Sequence, residues 1–454
     1  MKKFIKLSTT KTIVLSYIAV ILLGGALLTL PVMSADGQPT DFTDALFTST
    51  SCVCVTGLVT LTTATYWSGI GQFVILLLIQ TGGVGTASVL TLAYVLQKKK
   101  IGLHDRLLVA DAFNLDTMQG IVNFVVRLFK SMLVIELMGA ILYAFTFVPR
   151  FRLAKGIWYS VFHSVSAFCN AGIDVLGDSS MEPYSMNCFV NIITITLIIL
   201  GGLGFSTLWE LFQSLTGFMN KMAGNKTDRR PLSQHSKIVL NMTAVLILGG
   251  TLCYWIFERD NSRTIGNLPV HFQLLECLFQ SVTTRTAGFA VFSQKYLTFP
   301  SVVITIMLMF IGGSPGGTAG GIKTTTIAVM GLETRAVIRG ESDVFCFRRS
   351  VPRPAVRKAF AVFTISSAAA VIAVAVMYCF QDGSATDLVF EVFSALGTVG
   401  LSRDFTSSLD FGGKLVIIIC MYLGRVGPIS VAVALTGSGR KSGMHYADGN
   451  VRVG

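Results

Sequence analysis

Hydrophobic positions in this chain are gathered into long continuous runs. Eight runs lie near 12–31, 66–96, 131–149, 187–219, 238–257, 299–332, 359–380 and 411–436. A helix needs about 20 apolar residues to cross a bilayer, so the pattern predicts eight transmembrane crossings. Several runs are longer than this, and we expect those helices to be tilted or broken. Basic residues precede the first run without an Ala-x-Ala cleavage site, which predicts a membrane anchor and not a signal peptide.

The composition agrees with a membrane protein. Of the 454 residues, 52% are hydrophobic and only 13% are charged, whereas soluble domains carry about 25% charged residues. Such a chain cannot cover the surfaces of soluble domains, which excludes soluble enzymes and disordered proteins. The nine cysteines form no CxxC and the five histidines are scattered, so the sequence suggests no metal site. The predicted fold class is an all-α polytopic membrane protein.

The net charge of +12 is unevenly distributed among the loops. Segments 1–12, 97–106, 220–237, 335–358 and 437–454 carry 23 lysines and arginines, and the loops on the opposite side carry nine. The positive-inside rule therefore assigns the first set, with both termini, to the cytoplasm. The cluster at 150–155 is an exception to this rule. Because the charge is explained by topology, no nucleic-acid partner is expected.

A second set of apolar segments lies in the loops after the first, third, fifth and seventh crossings. These segments are 44–56, 156–171, 271–287 and 387–399. They are too short to span a bilayer and predict re-entrant helices, although any one of them alone would also fit an interfacial loop. Each leads to a glycine, and the glycines are 115, 116 and 112 residues apart: Gly57, Gly172, Gly288 and Gly400. A bulky apolar residue stands ten positions before each glycine: Phe47, Phe162, Leu278 and Phe390. This regularity indicates a fourfold internal repeat.

The repeating unit is a crossing, a re-entrant pore helix, a glycine turn and a second crossing. It divides the chain into repeat 1 (1–100), repeat 2 (101–222), repeat 3 (223–340), repeat 4 (341–436) and a cytoplasmic tail (437–454). Non-helical backbone cannot face lipid, so the four turns must share a polar cavity. Glycine adopts positive φ at no steric cost, and four such turns can form rings of carbonyl oxygens that replace the water around a cation. We therefore expect four pseudo-symmetric repeats around a central pore.

Each second crossing carries another glycine cluster. The clusters are GGVG (82–85), GGLG (201–204), GGSPGG (312–317) and GRVG (424–427). Glycine pairs such as the first two most often mark close helix packing. The third belongs to GGSPGGTAGG (312–321), whose six glycines and one proline no helix tolerates, so we expect an unwound loop at membrane depth. This loop is similar to a phosphate-binding loop, but Ile322 interrupts that pattern and no soluble strand precedes it.

Arg425 lies within the last apolar run. A buried arginine costs roughly 2.5–3.5 kcal/mol on insertion scales, so its presence calls for a role. One interpretation is a structural ion pair with Glu136 or Glu210. The other is a fixed positive charge beside an ion path.

Together these motifs resemble the Ktr/Trk/HKT superfamily of K⁺ transporters. The matching stretches are VTGL (55–58), SAFCNAGI (166–173), TRTAGF (284–289), GGSPGGTAGGIKTTT (312–326), GTVGL (397–401) and GRVGP (424–428). They occur in order over nearly the whole chain. The chain is most similar to the KtrB-type membrane subunits of bacterial Ktr systems, because the first crossing begins near residue 12 without the extra N-terminal helix pair of Trk-type subunits.

The resemblance implies a site for K⁺ in a selectivity filter, and it implies no bound cofactor. The filter residues would be Val55, Thr56, Gly57, Asn170, Ala171, Gly172, Thr286, Ala287, Gly288, Thr398, Val399 and Gly400. The gate below the filter would be Gly312, Gly313, Ser314, Pro315, Gly316, Gly317, Thr318, Ala319, Gly320 and Gly321, with Arg425 beside it. Gly57 favours K⁺, because Na⁺-preferring relatives have serine there, and Na⁺ is considered as an activator. Cys169 departs from the family pattern, which often has asparagine, but leaves the glycine intact.

The resemblance also implies partners and a location. It implies a homodimer with one pore per protomer in the cytoplasmic membrane of a bacterium, docked on a cytosolic ring of KtrA-like subunits that bind ATP or ADP. Segments 97–106, 220–237 and 335–358 and the tail would dock this partner, or would only set topology and contact anionic headgroups. The alternative functions are a Trk-type or Na⁺-conducting relative and, from another class, a membrane enzyme. The sequence shows no convergent His, Asp or Glu at membrane depth, as an enzyme would require.

Overall fold

A computed structural model describes residues 8–97, 102–113, 120–177, 179–222 and 231–436. Helices account for most of these residues, and their order repeats four times: an outer helix, a short helix, a tight turn and an inner helix. The predicted all-α class is confirmed. The tail 437–454 lies outside the described residues, as do parts of the segments 97–106 and 220–237.

The four outer helices are long enough to cross a bilayer by themselves. They are α1 (Thr9–Leu28), α7 (Ile121–Phe151), α11 (Gln234–Glu258) and α15 (Arg353–Phe380). Large apolar side chains such as Leu23, Leu137 and Val371 are exposed on their outward faces. Apolar residues on the outer as well as the inner face fit a lipid environment, where exposure of such side chains carries no penalty.

The four predicted re-entrant segments form separate short helices. They are α2 (Phe42–Cys54), α8 (Leu153–Cys169), α12 (Val270–Thr283) and α16 (Ala385–Gly397). Phe47, Phe162 and Phe390 are fully buried. In repeat 3 the equivalent buried ring is Phe279, and Leu278, which stands ten positions before the glycine, is only partly buried. The connection from this phenylalanine to the turn glycine is one residue shorter there, so counting back from the glycine selects the wrong residue.

None of the four inner helices is continuous. Three consist of two helices that meet at a sharp bend: α4 (Gly69–Val84) with α5 (Thr86–Leu96) at 101°, α9 (Cys188–Gly202) with α10 (Phe205–Met222) at 110°, and α17 (Phe411–Val426) with α18 (Pro428–Thr436) at 93°. The fourth consists of α13 (Phe299–Phe310) and α14 (Thr324–Ile338), separated by residues 312–321. The predicted unwound loop is confirmed, and we call residues 312–321 the Gly-rich loop.

The bends coincide with glycine clusters. Gly85, Gly204 and Gly427 have φ values of 86°, 86° and 89°. A glycine in this region ends a helix without a steric penalty. The packing interpretation of the first two clusters is therefore incomplete, because both are also break points. Among the described residues, the outer helices and the three bent pairs supply up to seven spans by length and composition, and the Gly-rich loop divides the eighth.

Two shorter helices, four single-turn 3₁₀ helices and a hairpin complete the described fold. The shorter helices and strands are α3 (Thr63–Tyr66), α6 (Leu103–Phe113), β1 (Phe345–Cys346) and β2 (Arg349–Ser350). The 3₁₀ helices are Pro31–Met33, Glu182–Tyr184, Gln294–Tyr296 and Thr406–Ser408. The hairpin lies at the start of repeat 4, and its turn residues Phe347 and Arg348 have positive φ, as a two-residue hairpin turn requires. The side chains of Phe345 and Phe347 are exposed.

Repeat 4 contacts repeat 1 and closes the arrangement. Lys414 Nζ lies 2.6 Å from Asp44 Oδ1, and the Tyr422 hydroxyl donates to the Val14 carbonyl at 2.8 Å. The short helices form the centre of the core, where they contribute several of the largest fully buried side chains. The four turns that follow them are therefore brought together at the middle of the molecule.

Candidate ion pathway

The four turns share one backbone conformation. The residue two positions before each turn glycine is left-handed although it is not glycine: Val55 (φ 56°), Asn170 (58°), Thr286 (73°) and Thr398 (50°). The turn glycines have φ of 99° (Gly57), 64° (Gly172), 81° (Gly288) and 91° (Gly400), which confirms the positive φ predicted for them. Positive φ is uncommon outside glycine and costly for a β-branched residue. Its occurrence at one register in all four repeats means that the surrounding contacts impose a common backbone path.

The turns contact one another head to tail and form a closed ring, which we call the turn ring. Each turn glycine faces the carbonyl oxygen of the residue before the glycine in the next repeat. A Cβ added to the glycine would lie 2.6 Å from that oxygen for Gly57 and Ala171, 2.5 Å for Gly172 and Ala287, 2.6 Å for Gly288 and Val399, and closer still for Gly400 and Thr56. Such contacts leave no room for a side chain. The predicted turn residues of all four repeats are thus brought together.

Hydroxyl groups of the short helices hold the turns in place. Two accept from the N–H of the turn glycine and two donate to the carbonyl that follows it: Ser51 with Gly57 (3.0 Å), Ser394 with Gly400 (3.1 Å), Ser166 with Ile173 (2.6 Å) and Thr283 with Phe289 (2.7 Å). Sequence analysis missed these residues. The available signal was a hydroxyl residue near the end of every short helix, five or six positions before the glycine.

A cavity of about 250 Å³ lies against one side of the turn ring. The loops that follow the four turns form its walls. All four turn glycines line it, together with the acidic residues Asp174 and Asp404. The short helices end at the turns, so the negative ends of their dipoles add to these charges. The electrostatic environment of the ring therefore favours cations over anions.

The Gly-rich loop lies where the short helices end and is fastened to the second inner-helix break. Three backbone hydrogen bonds join Ser314 to Gly202 (2.9 Å), Thr318 to Gly201 (3.1 Å) and Phe205 to Gly316 (3.1 Å). The Thr318 hydroxyl adds a bond to the carbonyl of Phe168, the penultimate residue of α8, at 3.1 Å. Unwound backbone at membrane depth needs such partners, because lipid offers none. The glycines at 201–204 thus contribute acceptors as well as close packing.

Arg425 lies in the last turn of α17 and links the Gly-rich loop to the first inner-helix break. Its guanidinium donates to the carbonyl oxygens of Thr318, Gly82 and Gly83, the last at 3.2 Å. A guanidinium has five N–H donors and can serve several carbonyls at once. Lys323 is a second cation here, and its Nζ donates to the Ala319 carbonyl at 2.7 Å.

The alternative role of Arg425 as half of an ion pair is wrong for the described part of the chain. Glu136 accepts instead from Gln80 Nε2 at 3.0 Å, and Glu210 from the Ser233 N–H at 3.0 Å. The guanidinium therefore donates to backbone carbonyls of two other repeats.

Beyond the Gly-rich loop lies a larger cavity of about 700 Å³, lined by Lys323, Lys358 and parts of repeats 3 and 4.

Comparison with known proteins agrees with this architecture. Residues 3–440 match the family described as TrkH: Cation transport protein. The chain is 38% identical over 452 residues to the potassium/sodium uptake protein NtpJ of Enterococcus hirae (98% of this chain, 97% of that protein). It is 34% identical over 452 residues to the Ktr system potassium uptake protein B of Bacillus subtilis (100% and 98%). The crystal structure of the potassium transporter TrkH from Vibrio parahaemolyticus has the same fold, with a TM-score of 0.73 at 18% identity over 96% of this chain and 86% of that one. The chain therefore belongs to the TrkH family of cation transport proteins, which are multi-pass membrane transporters and not enzymes.

Proposed function

We propose that this chain takes up K⁺ across the cytoplasmic membrane of a bacterium through a selectivity filter formed by the turn ring. The observation that carries the proposal is the head-to-tail contact of four turn glycines with four carbonyl groups. Backbone oxygens held in a closed ring can replace the hydration shell of a cation. None of the turns is a full TVGYG, so fewer rows of carbonyls contribute than in a K⁺ channel. Influx would be driven by the membrane potential, worth about 2.3 kcal/mol per charge per 100 mV.

The Gly-rich loop serves as the gate in this proposal, and Arg425 holds it closed. The loop is the only inner-helix break in the described residues that is a long unwound segment and not a bend of one or two residues. The loop makes hydrogen bonds to Gly201 and Gly202, and its Thr318 carbonyl accepts from the guanidinium of Arg425. All of these contacts involve residues of the loop itself, so they can break together when the loop moves. Opening would release these contacts and let the loop swing aside.

Na⁺ conduction is the second candidate. The Enterococcus hirae relative is described as a potassium/sodium uptake protein, so a related filter serves in a protein named for both ions. Gly57 favours K⁺, because a hydroxyl at this position would narrow the ring and add a further ligand. In the main proposal Na⁺ is an activator of K⁺ uptake and not the transported ion.

Orientation and partners complete the proposal. Both termini would face the cytoplasm, as the distribution of lysine and arginine indicates. The protein would form a homodimer on a cytosolic ring of KtrA-like subunits that bind ATP or ADP. The hairpin of segment 335–358 is a candidate contact, because it presents exposed Phe345 and Phe347 beside basic residues. Crosslinking in native membranes would test this docking, and crosslinks to lipid alone would contradict it.

The central experiment measures K⁺ and Na⁺ uptake in cells that lack their own K⁺ uptake systems. Expression of the chain should restore growth at limiting K⁺, and Gly57→Ser should lower the ratio of K⁺ to Na⁺ uptake by about tenfold, because its side chain would disturb the carbonyl ring. Gly249→Ser is the matched control, since a Cβ on Gly249 has no neighbour within 4 Å. An unchanged ratio in Gly57→Ser would remove Gly57 from the filter.

A further inference from the structure

The short helices carry a second set of buried polar residues at one register. Directly after its buried phenylalanine, each short helix has a polar side chain that is at most 1% exposed: Thr48, His163, Gln280 and Glu391. Burying a polar group is unfavourable unless it is hydrogen-bonded. In repeats 3 and 4 the partners are clear, and they lie in the loops that follow the turns.

Glu391 binds both ends of the loop segment after the fourth turn. One carboxylate oxygen accepts from the Thr406 hydroxyl, and the other accepts from Ser402 Oγ at 2.9 Å. Ser402 Oγ itself accepts the N–H groups of Phe405 (3.1 Å) and Thr406 (3.3 Å), so its own proton is left for the carboxylate. The segment between them contains Asp404, which has a φ of 63° and lines the cavity over the turn ring.

Gln280 makes the corresponding contact in repeat 3. Its side-chain amide exchanges two hydrogen bonds with the amide of Gln294, at 2.6 and 3.2 Å. Gln294 stands six residues after Gly288, and Thr406 stands six residues after Gly400. The same position of the short helix therefore reaches the same position of the following loop, with amide chemistry in one repeat and carboxylate chemistry in the other.

Arg403 connects the two contacts. Its Nε lies 2.7 Å from Asp387 Oδ1, and its Nη1 donates to the Gln294 carbonyl at 3.2 Å. The loops after the third and fourth turns thus form one hydrogen-bonded unit, which we call the outer brace. Gln294, Ser402 and Thr406 all line the cavity over the turn ring.

We propose that Glu391 is a positioning residue for ion selection, and that it acts by holding the outer brace and through it the turn at Gly400. The proposal rests on the function proposed above for the turn ring as filter. Only a carboxylate offers two oxygens that both accept hydroxyl bonds, so a glutamine at this position leaves one hydroxyl without its acceptor. The loosened segment is attached to Gly400 by one intervening residue, Leu401, and a looser turn discriminates less between ions of different radius.

The test measures K⁺ and Na⁺ flux of the full chain in proteoliposomes. Glu391→Gln should lower the ratio of K⁺ to Na⁺ flux by about three- to tenfold, the effect of losing one hydrogen bond. Glu258→Gln is the matched control, because Glu258 is equally buried and accepts from the hydroxyls of Thr264 and Thr298, both at 2.7 Å, without lining the cavity over the ring. It should leave the ratio unchanged.

A second variant approaches the same bond from the other partner. Thr406→Val should lower the ratio of K⁺ to Na⁺ flux as Glu391→Gln does, and it provides the test if Glu391→Gln fails to insert into the membrane. The double variant should lower the ratio no further than Glu391→Gln alone. A wild-type ratio in Thr406→Val, or an equal shift in Glu258→Gln, would overturn the proposal. Gly57→Ser separates the hypothesis that the turn ring is the filter from the hypothesis that the outer brace supports it. If Gly57→Ser lowers the ratio of K⁺ to Na⁺ flux and both brace variants leave it unchanged, the brace hypothesis is wrong and the filter hypothesis is retained. If Gly57→Ser also leaves the ratio unchanged, the filter hypothesis is wrong.

Discussion

The turn ring and the inner-helix breaks lie next to each other, but sequence and backbone conformation are related differently in the two regions. In the ring, four different sequences adopt one backbone, and each turn contacts the next in the same way. In the layer of breaks, similar glycine clusters adopt different backbones, namely three bends of one or two residues and one ten-residue loop. Under the proposed function, the ring offers a spherical ion similar surroundings on every side. The Gly-rich loop would be the one break that differs from its neighbours and can move while they remain fixed.

The contacts of the Gly-rich loop show the same contrast. It is bonded to backbone of repeat 2 at Gly201 and Gly202, and it receives the guanidinium of Arg425 from repeat 4. No rotation of the molecule would superpose these contacts on one another, whereas the four contacts of the ring are equivalent. Substitutions should therefore act alike around the ring and unlike around the breaks.

The largest effect is expected from an added methyl group in the ring. Alanine at Gly172 or Gly288 places a Cβ within about 2.6 Å of the next repeat's carbonyl oxygen, and overpacking of this kind should lower K⁺ flux by roughly a hundredfold. Gly249→Ala, in open surroundings, is the control. The measurement is K⁺ flux per inserted molecule in proteoliposomes. Wild-type flux with alanine at only one of the two positions would show that the turns are not equivalent.

Shortening the Gly-rich loop should have the next largest effect, in the opposite direction. Deletion of residues 315–318 removes most of its bonds to repeat 2, each worth about 1 kcal/mol, so closed-state stability and control should fall and K⁺ flux should rise by roughly thirtyfold. The ratio of K⁺ to Na⁺ flux should stay unchanged, because the ring is intact. Flux is measured with and without the proposed regulatory subunits. A deletion variant that folds but conducts less than the wild type would contradict a gating role.

Arg425→Gln should raise the maximal rate of K⁺ uptake by about tenfold, because hydrogen bonds from a charged donor are worth about 1.5–3 kcal/mol. The apparent affinity should change little, because the proposed filter is the ring and the substitution leaves it intact. Arg425→Lys separates charge from geometry, since lysine keeps the charge without the planar fork. Uptake is measured per molecule of surface protein, alongside thermal stability. A rate that falls in parallel with stability would assign a structural role to Arg425.

The smallest effect is expected from Thr318→Val, which removes one hydroxyl bond to Phe168 and keeps the side-chain shape. Flux should rise by about threefold, in line with the loss of one neutral hydrogen bond. Thr334→Val is the matched control, because that hydroxyl donates within its own helix, to the Met330 carbonyl. Equal rates in the two variants would show that the contact between the Gly-rich loop and the second short helix does not hold the loop.

The features of this fold that could be predicted from sequence are those encoded by local composition. Six glycines and a proline within residues 312–321 exclude a helix wherever they occur. The turn glycines were likewise recognisable, because their spacing repeats. The equivalence of Phe279 to the three other buried phenylalanines was not recognisable in this way, because repeat 3 is one residue shorter and a count from the glycine selects Leu278 instead.

Other features depend on contacts that the sequence does not reveal. A β-branched residue such as Val55 has no local preference for left-handed φ, and it adopts this conformation because the adjacent turns fix its neighbours. A glycine pair is compatible with both packing and breaking, so the bends at Gly85 and Gly204 depended on tertiary context. Arg425 is bonded to carbonyls 107 and 343 residues away, and backbone acceptors have no side-chain signature in a sequence.

The closure of the ring between its last and first turns has a consequence for biogenesis. The contacts that join repeat 4 to repeat 1 are made by residues 370 and 408 positions apart. Folding during synthesis proceeds from the N-terminus, so three repeats enter the bilayer before the fourth exists. During this interval the first turn lacks its neighbour on one side, and the polar backbone at membrane depth has an open flank. Completion of repeat 4 therefore covers this open flank, because the turn at Gly400 then contacts the first turn.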